Sequence, residues 1–197
     1  MALKAVFFDV GETLVDETGM GERAADLVGV PRFTLMGVLG GLAARGEPHD
    51  RVWEVLGLPP PRVSWRLPDE LYADALPCLH RLRAQGLLVG AAGNTGPDAE
   101  TSLREHVHVV GSSSSWGVAK PDRAFFERIV EETGLAPDSV AYVGDRVDND
   151  VLPAAAAGLV AVHVRRGPWG RLQATPSEAA LAVDDLASLP QALASLA

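Results

Sequence analysis

Residues 5 to 14 read Ala5-Val6-Phe7-Phe8-Asp9-Val10-Gly11-Glu12-Thr13-Leu14. An unbroken apolar run that closes on a single carboxylate describes a strand buried on both faces, with an acid at its carboxyl end. We read this strand over residues 4 to 9. Runs of the same kind recur at Leu87 to Ala92, Val107 to Val110, Val140 to Val143 and Leu159 to Val164. None alternates apolar with polar side chains, as a sheet with one face in water would require.

Helical patterns lie between these runs. From Asp69 to Gln85, Leu71, Tyr72, Ala75, Leu76, Leu79 and Leu82 recur at helical spacing, and Gly86 stops the pattern. A second begins at Pro121-Asp122, carries Phe125, Phe126, Ile129 and Val130 inward, and ends at Gly134; a third runs from Val151 to Gly158. Strands alternating with helices predict an α/β domain with a doubly wound parallel sheet, built from residues 1–15 and 69–197. Residues 16–68 break the alternation. They hold a glycine-punctuated apolar stretch from Phe33 to Ala44, a short amphipathic piece around Val52, Trp53, Val55 and Leu56, and Pro59-Pro60-Pro61, which cannot be helix interior. Roughly fifty residues is too long for a single crossover. The segment is therefore expected to be a small helical cap inserted after the first strand. Ser112 to Ser115 reads as a polar loop.

Composition narrows the function. With 197 residues, 47% hydrophobic and 22% charged, the chain can bury a sizeable core. A net charge of -9, and no basic cluster larger than Arg165-Arg166, argue against a nucleic acid or an anionic membrane as partner. Cys78 is the only cysteine, so neither an intrachain disulfide nor a cysteine-rich zinc site is available. Met1 to Lys4 leads straight into the first strand and no long apolar run follows, so a cytoplasmic protein without a signal peptide is expected. Of 17 basic residues only Lys4 and Lys120 are lysines. A compact ammonium is not interchangeable with a guanidinium where one phosphate oxygen must be met by a point charge, which singles out Lys120.

Ligands of open α/β sheets collect at the carboxyl ends of the strands. Asp9, Asn94, Ser113 to Ser115, Asp145 and Asp150 all follow predicted strands and are expected to converge there. Phosphoryl transfer asks for an in-line nucleophile, a cation over the non-bridging oxygens and a positively charged clamp. Hard carboxylate oxygens suit Mg²⁺.

Three stretches resemble motifs of the haloacid dehalogenase superfamily, in the family's order: Phe7 to Leu14 its nucleophile motif, Gly117-Val118-Ala119-Lys120-Pro121-Asp122 its lysine motif, and Val143 to Asp150 its acidic motif. The resemblance covers nearly the whole chain except residues 16–68. It implies a Rossmann-like core and a Mg²⁺-dependent phosphatase acting on a small phosphorylated molecule. Asp9 would be the nucleophile that becomes phospho-aspartate, and Lys120 would neutralise both Asp9 and the phosphate. Gly93, Asn94, Thr95 and Lys120 would bind the phosphate. Asp9, the Gly11 carbonyl, Asp145 and Asp150 would hold the metal.

Two positions depart from the family pattern. Its phosphatases carry an acid/base Asp two residues after the nucleophile, where this chain has Gly11, so reduced activity is expected. Glu12 is adjacent, but neighbours on an extended segment point oppositely. The family also places Ser or Thr before Asn94, where Gly93 stands, leaving Thr95 or a backbone N–H to meet the phosphate. A 2-haloacid dehalogenase, whose leaving halide needs no proton, is one alternative; a catalytically silent phosphate-binding or regulatory protein is another. His49, Trp53 and Trp65 are candidates for lining a substrate pocket. Substrate identity and oligomeric state are left open.

Overall fold

A computed structural model describes residues 2–196. Its strands are β1 (Ala5–Phe8), β2 (Leu88–Gly93), β3 (Val109–Ser112), β4 (Val140–Gly144), β5 (Val160–Val164) and β6 (Leu181–Val183). All pair in parallel, in the order β3-β2-β1-β4-β5-β6. Every residue of β1 is buried, as its uninterrupted apolar run requires of a central strand. The chain winds outward from β1 through β2 to β3, then crosses back to β4 on the other side of β1. Strand order therefore reverses between β1 and β4, the crevice where doubly wound sheets bind ligands. Asp9 and Asp145 follow these two strands, and the Asp9 N–H donates to the Val143 carbonyl at 2.8 Å.

The helices are α1 (Thr18–Val28), α2 (Arg32–Ala44), α3 (Arg51–Leu56), α4 (Ala75–Ala84), α5 (Pro97–Leu103), α6 (Ser113–Trp116), α7 (Arg123–Thr133), α8 (Leu152–Ala156), α9 (Gly167–Leu172) and α10 (Leu189–Ala194). Leu79 and Leu82 of α4, Leu103 of α5 and Leu189 and Leu193 of α10 pack with Val6 and Phe8 on one sheet face. Phe125, Phe126 and Ile129 of α7 and Ala154 of α8 pack with Phe7 and Tyr142 on the other. Alternation along β1 thus sends Val6 and Phe8 to one layer and Ala5 and Phe7 to the opposite one. Helices α1 to α3 surround a separate cluster of Ala24, Ala25, Leu35, Leu42, Ala43 and Val52, which Trp169 of α9 joins from the sheet side.

Several boundaries differ from the sequence expectations. The pattern starting at Asp69 becomes helix only at Ala75, because residues 71 and 72 are drawn against the exit of β1. There Val15 bridges Leu71 and the Tyr72 N–H donates to the Leu14 carbonyl at 2.9 Å. The third strand begins at Val109 rather than Val107, and Val107 instead fills the core beneath it. The serine run is not a loop: Ser112 and Ser115 form a reciprocal capping box, and Ser113–Trp116 makes a helical turn. Elements α5, α9, β6 and α10 have no counterpart in the expectations. Among the described residues, no single helix is long and apolar enough to cross a membrane.

Candidate active site

The strand ends bring four of the expected residues into one buried cluster. Lys120 Nζ lies 2.6 Å from Asp9 Oδ1 and 2.6 Å from Asp150 Oδ1. Asp145 completes a carboxylate group in which one oxygen from each of Asp9, Asp145 and Asp150 lies within 4.8 Å of the others. All four side chains are buried.

Each is held by its local backbone. Lys120 precedes α7, and Asn94 at the end of β2 clamps its peptide unit from both sides: Asn94 Oδ1 accepts from the Lys120 N–H at 2.8 Å, and Asn94 Nδ2 donates to the Lys120 carbonyl at 2.9 Å. The Lys120 ammonium also faces the Tyr142 ring, whose hydroxyl donates to the Ala92 carbonyl at 2.8 Å. Asp150 sits in a wide turn over Val147–Val151, the kind of helical bulge that concentrates at functional sites. Its second oxygen accepts from the Arg146 N–H at 3.0 Å. Gly144 lies directly beneath the Asp150 side chain, where a Cβ would collide with it, so the Gly-Asp pair of the acidic motif is a packing requirement. The Asp145 backbone is fixed by His163 Nε2 at its carbonyl, 3.1 Å away.

Burial dominates the electrostatics of the cluster. Burial raises the Asp9 carboxyl to about 6 even with Lys120 opposing the shift, and Asp150 adds to the rise. Burial, then the charges of Asp150 and Asp9, hold Asp145 well above the usual carboxylate range. Burial alone would depress Lys120, but Asp150 and Asp9 outweigh it and keep the ammonium charged. Three carboxyl groups gather around one ammonium, and their oxygens are a donor set that could hold a hard divalent ion.

Position 11 is occupied from elsewhere. A Cβ built on Gly11 would lie 2.6 Å from Glu17 Oε1 and 3.0 Å from Glu17 Cδ. Glu17 stands just before α1, and its N–H donates to Glu12 Oε1 at 3.0 Å. Glu12, with its backbone at φ 50°, turns its other oxygen to the Tyr72 hydroxyl at 2.6 Å. Glu12 is therefore committed to a supporting network, and Glu17 faces the site. Burial, reinforced by the charges of Glu12 and Asp9, lifts the Glu17 carboxyl to about 8.

The expected phosphate-binding residues are divided. Asn94 serves Lys120. A Cβ on Gly93 would come within 2.6 Å of Asp9 Oδ1, so the glycine makes room for the nucleophile's carboxylate. The Thr95 hydroxyl is buried without a hydrogen-bond partner. Ser113 donates to the Thr95 carbonyl at 3.3 Å and Ser115 bonds Ser112 and Glu100, so these serines brace the loop rather than join the carboxylates. Of the pocket candidates, Trp53 packs into the cluster of α1 to α3. Trp65 is packed against the sheet core with its indole N–H buried and unpartnered, close enough to Glu17 to favour its charged form. His49 meets Trp169 edge to face and Arg146 at 3.4 Å. Glu17 and His163 lie in no motif, and Arg146 lies within the acidic motif but is not one of its acids. The one sequence signal for Glu17 was the empty side-chain position at Gly11.

An acidic cluster and a buried lysine at the switch point of a six-stranded parallel sheet fit the class of hydrolases built on α/β sheets. The model of the haloacid dehalogenase-like hydrolase family matches residues 3–158, and the chain belongs to that family. It is similar to a glyceraldehyde 3-phosphate phosphatase of Methanopyrus kandleri, 36% identical over 104 residues that make up 50% of this chain and 45% of that protein. A phosphoserine phosphatase of Thermus thermophilus is 35% identical over 103 residues, 49% of this chain and 41% of that protein. The matches to these two relatives span less than half of their length. Among solved structures, an L-2-haloacid dehalogenase from Xanthobacter autotrophicus superposes with a TM-score of 0.69 at 20% identity, covering 99% of this chain and 100% of that one. A HAD phosphatase from Thermococcus onnurineus superposes with a TM-score of 0.65 at 20% identity, covering 97% and 98%. At that identity the likeness is one of fold.

Proposed function

We propose that the protein is a Mg²⁺-dependent phosphatase of small phosphate monoesters, acting through a phospho-aspartate at Asp9, with α1 to α3 as the cap over the site. The observation that carries this reading is the charge of the cluster. A halide leaves without a proton and its displacement needs no metal, and hydrolysis of the ester left on Asp9 asks for one base to activate water, so a metal-free site has a use for one further acid but not for both Asp145 and Asp150 beside Asp9. A site that receives both a divalent cation and a phosphate dianion needs all three acids and Lys120.

Mg²⁺ would be held by Asp9, Asp145 and the Gly11 carbonyl, with Asp150 in support, and would neutralise charge on the transferring phosphoryl group. Asp9 supplies the attacking oxygen at the end of β1, where its backbone is pinned to β4. Lys120 holds Asp9 ionised and offers its ammonium to the phosphate, while Asn94 fixes the lysine's peptide. The unpartnered Thr95 hydroxyl is available as a donor to a phosphate oxygen, the role that Gly93 cannot fill. The phosphatase names of the partial relatives support the same substrate class.

A screen of phosphate esters with Mg²⁺ and with EDTA, run beside chloroacetate and 2-chloropropionate, tests the reading. Hydrolysis of a phosphate ester that EDTA abolishes is expected. Halide release without metal, and no phosphate release, would assign the chain to the dehalogenases instead.

A further inference from the structure

A phosphate ester with an alkoxide leaving group needs a proton as the P–O bond breaks, and the water that follows must lose one. Positioned acid/base groups contribute about 10² to 10⁴ in rate to such steps. Position 11 carries no side chain for either task. The volume that its side chain would enter holds the Glu17 carboxyl, with Oε1 2.6 Å and Oε2 3.5 Å from where the Cβ would be. Of the neighbouring acids, Asp9 and Asp150 pair with Lys120, Glu12 accepts from Tyr72 and from the Glu17 N–H, and Asp145 belongs to the carboxylate group read above as the metal site. Glu17 is anchored through its backbone, by Glu12 at its N–H and by Gly21 at its carbonyl, while its side chain enters no ion pair. The result is a carboxyl outside every ion pair among the described residues, with its oxygens in the volume that a side chain at position 11 would fill.

We propose that Glu17 is the general acid and base of this site, delivered from the start of α1 into the space left open at Gly11. The proposal rests on the phosphatase reading above. As an Asp9 oxygen bonds to phosphorus and the P–O bond to the leaving group breaks, the Glu17 carboxyl gives its proton to the departing alkoxide, releasing an alcohol. Glu17, now a carboxylate, then takes a proton from water as the water oxygen bonds to phosphorus. The acyl-phosphate P–O bond breaks, releasing inorganic phosphate and restoring the Asp9 carboxylate and the Glu17 acid.

The test compares wild type, Glu17→Gln, Asp9→Asn, Glu17→Ala, and the double variant of Glu17→Ala with Gly11→Asp. Each is assayed with Mg²⁺ on glycerol phosphate and p-nitrophenyl phosphate. Glu17→Gln is expected to lose about 10² to 10⁴ in turnover on glycerol phosphate. On p-nitrophenyl phosphate it is expected to release a burst of nitrophenolate near one equivalent per site, followed by slow turnover as phospho-Asp9 waits for a base. The double variant is expected to regain at least tenfold over Glu17→Ala, since removing Glu17 frees the space that Asp at position 11 requires; a structural role for Glu17 would produce neither the burst nor the rescue. Glu17→Gln retaining more than a tenth of wild-type turnover on glycerol phosphate, while Asp9→Asn is inactive, overturns the assignment of Glu17 and leaves the phosphatase reading standing. A wild type inactive on both esters removes the phosphatase reading, and the role of Glu17 with it.

Discussion

At Gly93 a Cβ would crowd Asp9 Oδ1 at 2.6 Å, and the same oxygen is held by Lys120 Nζ at 2.6 Å. Gly93→Ser, although it restores the family's side chain, is therefore expected to displace the nucleophile and lower turnover by at least about tenfold, since small misplacements of reacting groups cost up to about 10² in rate. Turnover unchanged or raised in that variant would show that Asp9 can yield. Asp145→Ala is expected to abolish Mg²⁺ binding measured by calorimetry; equal affinity in both proteins would place the metal elsewhere. Asp9, Lys120, Asp145 and Asp150 were legible in the sequence because each lies in a short motif, the acids past the ends of strands and Lys120 just before a helix, and the fold does bring them together. Glu17 was not, because it lies in a segment without a motif and enters the site only through the turn that Glu12 and Tyr72 hold.

Elements were legible where a pattern and its stop signals agreed. Helix α7 begins after Asp122, whose side chain accepts from the Ala124 N–H, and ends at Gly134 with φ 64°, matching the boundaries read from the sequence. The helix expected from Asp69 failed at its start because apolar spacing cannot distinguish a helix face from a segment pulled against a neighbouring strand, as Leu71 and Tyr72 are. Helix α9 was invisible for a different reason: it is short, and its place is set by backbone proximity. A Cβ on Gly170 would lie 2.8 Å from the Val164 carbonyl and 3.1 Å from the Asp145 carbonyl, atoms that cannot swing aside. Gly170→Ala is expected to destabilise the protein by about 1–3 kcal/mol in chemical denaturation. By shifting Asp145, it is also expected to weaken Mg²⁺ binding. Native stability in that variant would mean that α9 moves freely.

At the scale of the molecule, a parallel sheet with two covered faces carries a separate three-helix cluster, and Trp169 of α9 is the side chain that enters that cluster from the sheet side. Arg146, which follows Asp145, stacks on the Trp169 ring at 5.1 Å and meets His49. This joins the helices to the loop that bears the acids. Trp169→Ala is expected to cost about 3–5 kcal/mol in chemical denaturation and to loosen α1 to α3. Limited proteolysis would then cut around residues 45–50 before it reaches the sheet, whereas simultaneous loss of both parts would indicate one cooperative unit. The sheet was legible from its apolar runs, but this junction was not, since a lone tryptophan in Gly167-Pro168-Trp169-Gly170 has no period to place it. The central claim is that phosphate passes through Asp9. Acid-quenching the wild type during turnover of p-nitrophenyl phosphate with Mg²⁺, and weighing the peptide that contains Asp9, tests it most directly. The expected result is one phosphoryl group on that peptide, removed by hydroxylamine as an acyl phosphate and absent in Asp9→Asn, which should also be inactive. Steady phosphate release with no adduct on Asp9, and undiminished turnover in Asp9→Asn, would contradict the account.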